Sequence, residues 1–197
     1  MDEKNNFPKR KELRIKHYDY SSRGWYFITI CTQDRKRMLS AIIQPKGVNN
    51  HDDLAENEQS FVGVGALDDP FQPEIRLTQI GKIVERNLLS SQNISGIAID
   101  QYVIMPDHIH AIVFLDPEKY IKGSGGSSKA PTPTNEMLPH IVSTFKRFCN
   151  KEIGENIFQR GYMEHVIRDH RDYEEHLRYM YNNPKRWYYE KLKEKQS

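Results

Sequence analysis

His108-Ile109-His110 opens an apolar run, HIHAIVFL (108–115). Side chains at i and i+2 of a strand project from the same face, so the two imidazoles can converge on one ion. Neutral imidazole is available near pH 7 and suits divalent first-row metals. Two histidines leave room for a third protein ligand and for the open positions a catalytic metal needs. The competing reading is two half-exposed polar residues at a strand edge. Tyr179 and Asn183, in YMYNNP (179–184), stand at i and i+4 of a helix and share one face. A phenol there can act as a nucleophile, and an amide oxygen one turn on can ligate a hard cation. Asn before Pro is also ordinary helix-end chemistry, and tyrosine at helical spacing is ordinary packing.

The elements that must hold these groups are legible from pattern. WYFITICT (25–32) is aromatic and β-branched, a strand. LTQIGKIVERNLLSSQ (77–92) repeats Ile80, Ile83, Val84 and Leu88 at helical spacing, with Thr78 as its cap. IAIDQYVIM (97–105) and HIHAIVFL read as two strands joined at Pro106-Asp107. LPHIVSTFKRFCNKEI (138–153) is a helix with Ile141, Val142, Phe145, Phe148 and Cys149 on one side. MEHVIRD (163–169) is extended, and RDYEEHLRYMYNN (171–183) is a helix stopped at Pro184. The order predicts an α+β ferredoxin-like sandwich, a central antiparallel sheet with helices packed on one face. A doubly wound sheet is disfavoured because no Gly-rich phosphate loop follows a strand.

Two stretches read as long flexible insertions within a single domain spanning 1–197. PKGVNNHDDLAENEQSFVGVGALDDPFQPE (45–74) has no sustained periodicity, and DPEKYIKGSGGSSKAPTPTNE (116–136) has linker composition. Both are expected to be mobile.

The chain has 197 residues and a net charge of +2, with 37% hydrophobic and 28% charged residues. It is polar, yet too aromatic for a wholly disordered chain. No apolar run approaches the roughly 20 residues of a spanning helix, so no membrane association is expected. The start, MDEKNNFPKRKELRIKH, lacks the apolar core of a secretory signal. Cys31 and Cys149 lie far apart and suggest a reducing cytoplasm. Charge is segregated: ten Lys and Arg against five acids in residues 1–37, then seven acids and no Lys or Arg in residues 51–75. Such clustering lets a nearly neutral protein present a basic face to a polyanion. Solvated termini and a solvated loop account for the same pattern.

Taken together, these strings make a recognisable set. WYFITICTQDR (25–35), YVIMPDHIHAIVFL (102–115), LPHIVSTFKRFCN (138–150), FQRGYMEHVIRD (158–169) and YEEHLRYMYNNPKRW (173–187) resemble the REP-associated tyrosine transposases, within the wider group of single-tyrosine HUH transposases and endonucleases. The resemblance implies that His108 and His110 bind Mg²⁺ or Mn²⁺ and that Tyr179 is the nucleophile. Asn183 falls where related transposases place a glutamine as third metal ligand. The implied substrate is single-stranded or hairpin DNA from palindromic repeats, cut in the flanking strand through a covalent 5′-phosphotyrosine. The resemblance admits a homodimer, and implies a bacterial cytoplasmic protein that joins the nucleoid when bound to DNA.

That chemistry makes physical sense of the residues. A cation on the histidine pair offsets charge on a phosphodiester during attack. A phenol of pKa roughly 10 needs help to ionise at neutral pH. Candidate phosphate contacts are Lys9, Arg10, Lys11, Arg14 and Lys16 in the basic tail, with Lys146, Arg147 and Arg168 further on. Trp25, Tyr26 and Trp187 are candidates for base stacking or for the core. Glu164 flanks the site strand, with His165 alternating, and Tyr162 is a second candidate nucleophile. Two alternatives stay open: a metal-dependent phosphodiesterase using activated water, and a catalytically inactive, domesticated hairpin-binding protein.

Overall fold

The computed structural model describes residues 23–43, 73–120 and 134–196. Lys9, Arg10, Lys11, Arg14 and Lys16, and most of both expected insertions, lie outside the described residues. The elements in chain order are β1 (Gly24–Cys31), β2 (Ser40–Ile43), β3 (Glu74–Leu77), α1 (Gln79–Ser90), β4 (Ile97–Ile104), β5 (His108–Leu115), α2 (Thr134–Ile153), β6 (Met163–Ile167) and α3 (His170–Gln196).

β4, β5, β1 and β6 form one sheet in that order, and β2 pairs with β3 in a separate ribbon. Each neighbouring pair in the large sheet is antiparallel. With α1 and α2 intervening, this is the βαββαβ order of a ferredoxin-like fold, as the sequence pattern predicts. The two central strands, β5 and β1, are buried almost throughout, which explains their nearly continuous apolar runs.

Alternation along the strands divides the interior in two. Tyr26, Ile28 and Ile30 of β1, with Ile109, Ala111, Val113 and Leu115 of β5, share one core with Val84 and Leu88 of α1 and Ile141, Val142, Phe145 and Cys149 of α2. Phe27 and Ile112 face the other way, where they meet Ile167 and α3 through Met180, Tyr173 and Leu177. The expected single helical face thus holds for α1 and α2, while α3 forms a further layer on the opposite face. Thr78 caps α1 as expected, its hydroxyl accepting from the Gly81 amide at 3.0 Å.

Three expectations about the helices are corrected. α2 begins at Thr134, a turn before Leu138, because the fully buried Met137 and Leu138 hold that turn against the core. Phe148, expected on the buried side, is 51% exposed and lies beside the Arg147 guanidinium, 5.3 Å from its ring centroid. α3 does not stop at Pro184 but runs on to Gln196. Proline removes one helical hydrogen bond; burial of Asn183, Pro184 and Lys185 against the rest of the chain offsets that loss.

Candidate active site

β5 is an inner strand, so His108 and His110 are not edge residues. They are 8% and 3% exposed, and both project from the α3 face of the sheet. Their ring centroids are 4.6 Å apart with planes at 74°. Register sets the floor of the site: Cys31 stands opposite His108, Thr29 opposite His110 and Phe27 opposite Ile112.

Each imidazole is held through its Nδ1. His108 Nδ1–H donates to Asp107 Oδ1 at 2.5 Å. A carboxylate accepts only, so the lone pair of His108 is left on Nε2. His110 Nδ1 shares a 2.8 Å hydrogen bond with the Thr29 hydroxyl. Its Nε2 is buried and without a partner among the described residues. Burial first, then the charges of His108 and Arg35, lower the pKa of His110 to about 3, so the ring is neutral at physiological pH. A buried neutral imidazole can offer its Nε2 lone pair to a cation when its Nδ1–H donates to the Thr29 hydroxyl, and ligating histidines commonly rest their other nitrogen on a carboxylate or hydroxyl in this way.

The turn carrying Asp107 is itself pinned. Met38 and Leu39 amides both donate to the Pro106 carbonyl at 2.9 Å, and the Thr32 amide and hydroxyl donate to the Asp107 carbonyl at 2.9 and 3.0 Å. The same loop turns through left-handed backbone at two consecutive non-glycine residues, Asp34 (φ 52°) and Arg35 (φ 54°). That conformation costs roughly 1–2 kcal/mol per residue. It carries the Arg35 guanidinium to 3.6 Å from Asp107, with the side chain still 51% exposed.

α3 crosses the same face. The Tyr179 ring lies 5.2 Å from that of His110 and 6.1 Å from Phe27, and the residue is 42% exposed. Asn183, one turn on, is buried, and its amide Nδ2 has no partner among the described residues. A 180° turn of the amide exchanges its nitrogen and oxygen, so the unmatched end can present oxygen. Beyond Pro184, Trp187 packs 6.1 Å from His108, with Arg37 5.1 Å over its ring. The continued helix therefore closes the far side of the histidine pair.

Other sequence candidates are placed elsewhere. Lys146 is corrected as a phosphate contact: it is buried, and its ammonium donates to the carbonyls of Gln159 at 2.8 Å, Arg160 at 3.4 Å and Gly161 at 2.7 Å. Arg147 is exposed on α2, on the side of the sheet away from the histidines. Arg168 is exposed beside α3, its amide donating to Asp172 Oδ2 at 3.0 Å. Tyr162 packs on the α1–α2 core and donates to Glu164 Oε2 at 2.9 Å, and Glu164 pairs with Ile28 on that same face. Neither residue joins the histidine site. Trp25 packs between Phe114 and Tyr173, and Tyr26 is core. Asp107, Thr29, Phe27 and Arg35 were missed. Of these only Asp107 carried a signal, an acid directly before the histidine pair.

The fold and site together define an α+β ferredoxin-like chain whose inner strand presents two neutral-capable imidazoles to a helical tyrosine. No protein-family profile matches the chain. It is 29% identical over 200 residues to an uncharacterized protein of Haemophilus influenzae, covering 93% of this chain and 92% of that one. It is 36% identical over 92 residues to a second Haemophilus influenzae protein, named "Putative REP-associated tyrosine transposase", covering 46% of this chain and 52% of that relative. The resemblance read from the motif strings thus recurs in this named relative, over somewhat less than half of the chain. A solved structure, of a REP-associated tyrosine transposase bound to a REP hairpin, aligns over 88% of this chain and 73% of its own, with a TM-score of 0.47 and 18% identity. Among the described residues no helix is long and apolar enough to cross a membrane.

Proposed function

We propose that this chain is a metal-dependent DNA strand-cleaving and rejoining enzyme of the REP-associated tyrosine transposase kind, acting on single strands beside hairpins. One observation carries the reading: the Tyr179 ring stands 5.2 Å from His110, whose buried Nε2 has no partner among the described residues. His108, His110 and Asn183 would hold Mg²⁺ or Mn²⁺. Such an ion, when bound, supplies positive charge beside the scissile phosphate.

The residues do the rest. Asp107 keeps a proton on Nδ1 of His108, and the Thr29 hydroxyl orients the His110 ring and can accept its Nδ1–H. Phe27 and Trp187 wall the site and limit how far the rings can turn. Arg35, half-exposed at the rim, offers guanidinium donors to a neighbouring phosphate of the bound strand. The Tyr179 hydroxyl loses its proton and attacks phosphorus; the P–O3′ bond breaks and the departing 3′ oxygen takes up a proton, so that none is gained or lost overall, leaving a 5′-phosphotyrosine and a free 3′-hydroxyl. Attack by another 3′-hydroxyl on that linkage restores the phenol and joins the strands, with no nucleotide cofactor consumed. A metal and a phenol under one helix reach a single backbone phosphate more readily than a duplex, which favours single-stranded substrate.

The test is a labelled strand with a hairpin and single-stranded flanks, incubated with Mg²⁺ or Mn²⁺ and resolved under denaturing conditions. The wild type should form a covalent adduct that is absent in Tyr179→Phe and in His108→Ala/His110→Ala. Cleavage retained by Tyr179→Phe would transfer the reading to a water-activating phosphodiesterase. Hairpin binding without cleavage by the wild type would leave a binding protein.

A further inference from the structure

His165, Asp172 and His176 form a second cluster that the strand-transfer reading does not use. His165 stands opposite Phe27 in the sheet, so its ring faces α3. Asp172 and His176 are i and i+4 on α3 and share one helical face. One donor atom from each residue lies within 4.8 Å of the others, and all three residues are partly buried. His165 Nε2 is 2.9 Å from both Asp172 carboxylate oxygens, and His176 Nδ1 is 3.1 Å from Asp172 Oδ1. The two imidazoles are stacked, with centroids 4.4 Å apart and planes at 22°.

The carboxylate is anchored from outside the cluster. The Arg168 amide donates to Asp172 Oδ2 at 3.0 Å, and the Asp172 amide donates to Asp169 Oδ1 at 2.9 Å. Phe27 holds the His176 ring from the other side at 4.6 Å and also stacks 5.1 Å from His110. One phenyl ring therefore separates this cluster from the first histidine pair.

The geometry points to a second metal site, in which His165, Asp172 and His176 bind a Zn²⁺-class transition ion. Metal–ligand bonds of roughly 2.0–2.2 Å put tetrahedral donors a little over 3 Å apart, close to the 2.9–3.1 Å separations around Asp172, while the two histidine donors lie within 4.8 Å and their stacked rings turn inward to close on one ion. Two imidazoles and one carboxylate suit Zn²⁺ or Co²⁺, whereas Mg²⁺ favours oxygen ligands in an octahedron. His176 Nδ1–H now donates to the Asp172 carbonyl at 2.8 Å, and His165 Nε2–H to the carboxylate. To ligate, each ring offers the lone pair of the inward nitrogen and carries its proton on the other one. The ion ties β6 to the first turns of α3, three residues before Tyr179. It acts as a clip that sets where the helix bearing the phenol starts.

The experiment uses the full chain, stripped with chelator, and a His108→Ala/His110→Ala variant that lacks the first pair. Both are titrated with Zn²⁺ by calorimetry and with Co²⁺ by visible absorption. That variant should bind one equivalent of Zn²⁺, show the d–d bands of low-coordinate Co²⁺, and gain roughly 5–10 °C in Tm at a hundredfold excess over Kd. A large excess of Mg²⁺ should not displace the ion. Asp172→Asn and His176→Gln, each introduced into that variant, should weaken Zn²⁺ by at least tenfold. Failure of the variant to take up stoichiometric Zn²⁺ overturns the proposal, and so does unchanged affinity in either substitution. Should those substituted chains not fold, the stoichiometry of the parent variant decides alone. Adduct formation through Tyr179 is read separately, so either conclusion can fall without the other.

Discussion

Replacing Asp107 by Asn isolates what its charge does for the first histidine pair. The side chains are the same size, and the Asn carbonyl can still accept from His108 Nδ1–H, so the ring keeps its orientation. The loss is one negative charge at 2.5 Å from Nδ1. A charge-assisted hydrogen bond contributes about 1–2 kcal/mol more than a neutral one. Substitutions behind a metal ligand typically lower metal affinity about 10–100-fold, which corresponds to about 1.4–2.7 kcal/mol. The two figures agree. Stability should change less, because removing the charge also removes the cost of burying a carboxylate, which offsets the weakened His108 bond, and the Arg35 pair, 3.6 Å long with a half-exposed guanidinium, contributes at most about 1 kcal/mol. Mn²⁺ titration by calorimetry or electron paramagnetic resonance reads the first quantity and thermal unfolding the second. The expected pattern is Mn²⁺ weaker by at least tenfold with Tm lowered by no more than about 4 °C. Mn²⁺ affinity within twofold of wild type would refute the claim that Asp107 tunes His108. A collapse in Tm would show instead that the carboxylate chiefly holds the turn.

Lys146→Met should destabilise the chain by roughly 2–3 kcal/mol in urea unfolding, because the carbonyls of residues 159–161 lose a buried ammonium donor. The same variant should leave the salt dependence of DNA affinity unchanged; a shallower slope would restore Lys146 as a phosphate contact. His110 makes stability fall in acid. Its folded pKa of about 3 lies below the ordinary 6.5, so below about pH 6.5 the unfolded chain binds a proton that the folded chain refuses. Stability attributable to this residue is full above that pH and is lost as pH falls toward 3, by roughly 1.4 kcal/mol per pH unit. In metal-free protein, unfolding measured between pH 7 and 4.5 should lose about one proton's worth of slope in His110→Gln, and an unchanged slope would contradict the assignment.

What the amino-acid sequence determined by itself is local. Alternation in HIHAIVFL placed both histidines on one face, and the i, i+4 spacing put Tyr179 and Asn183 on another, because strand and helix periods depend only on backbone geometry. The strand and helix order likewise narrowed the fold to a ferredoxin-like sandwich. Contacts between distant segments were decided only by the tertiary structure. Thr29 meets His110 through the β1–β5 register, and Arg35 reaches Asp107 through a loop held in left-handed backbone. Lys146 looked like any cationic side chain on a helix until three carbonyls 13–15 residues away closed over it. Pro184 read as a helix stop because propensity is a local term; burial of the residues on either side outweighs the missing hydrogen bond. The His165–Asp172–His176 cluster shows both contributions at once. Helical spacing pairs the last two, and only the packing of α3 on β6 brings in the first.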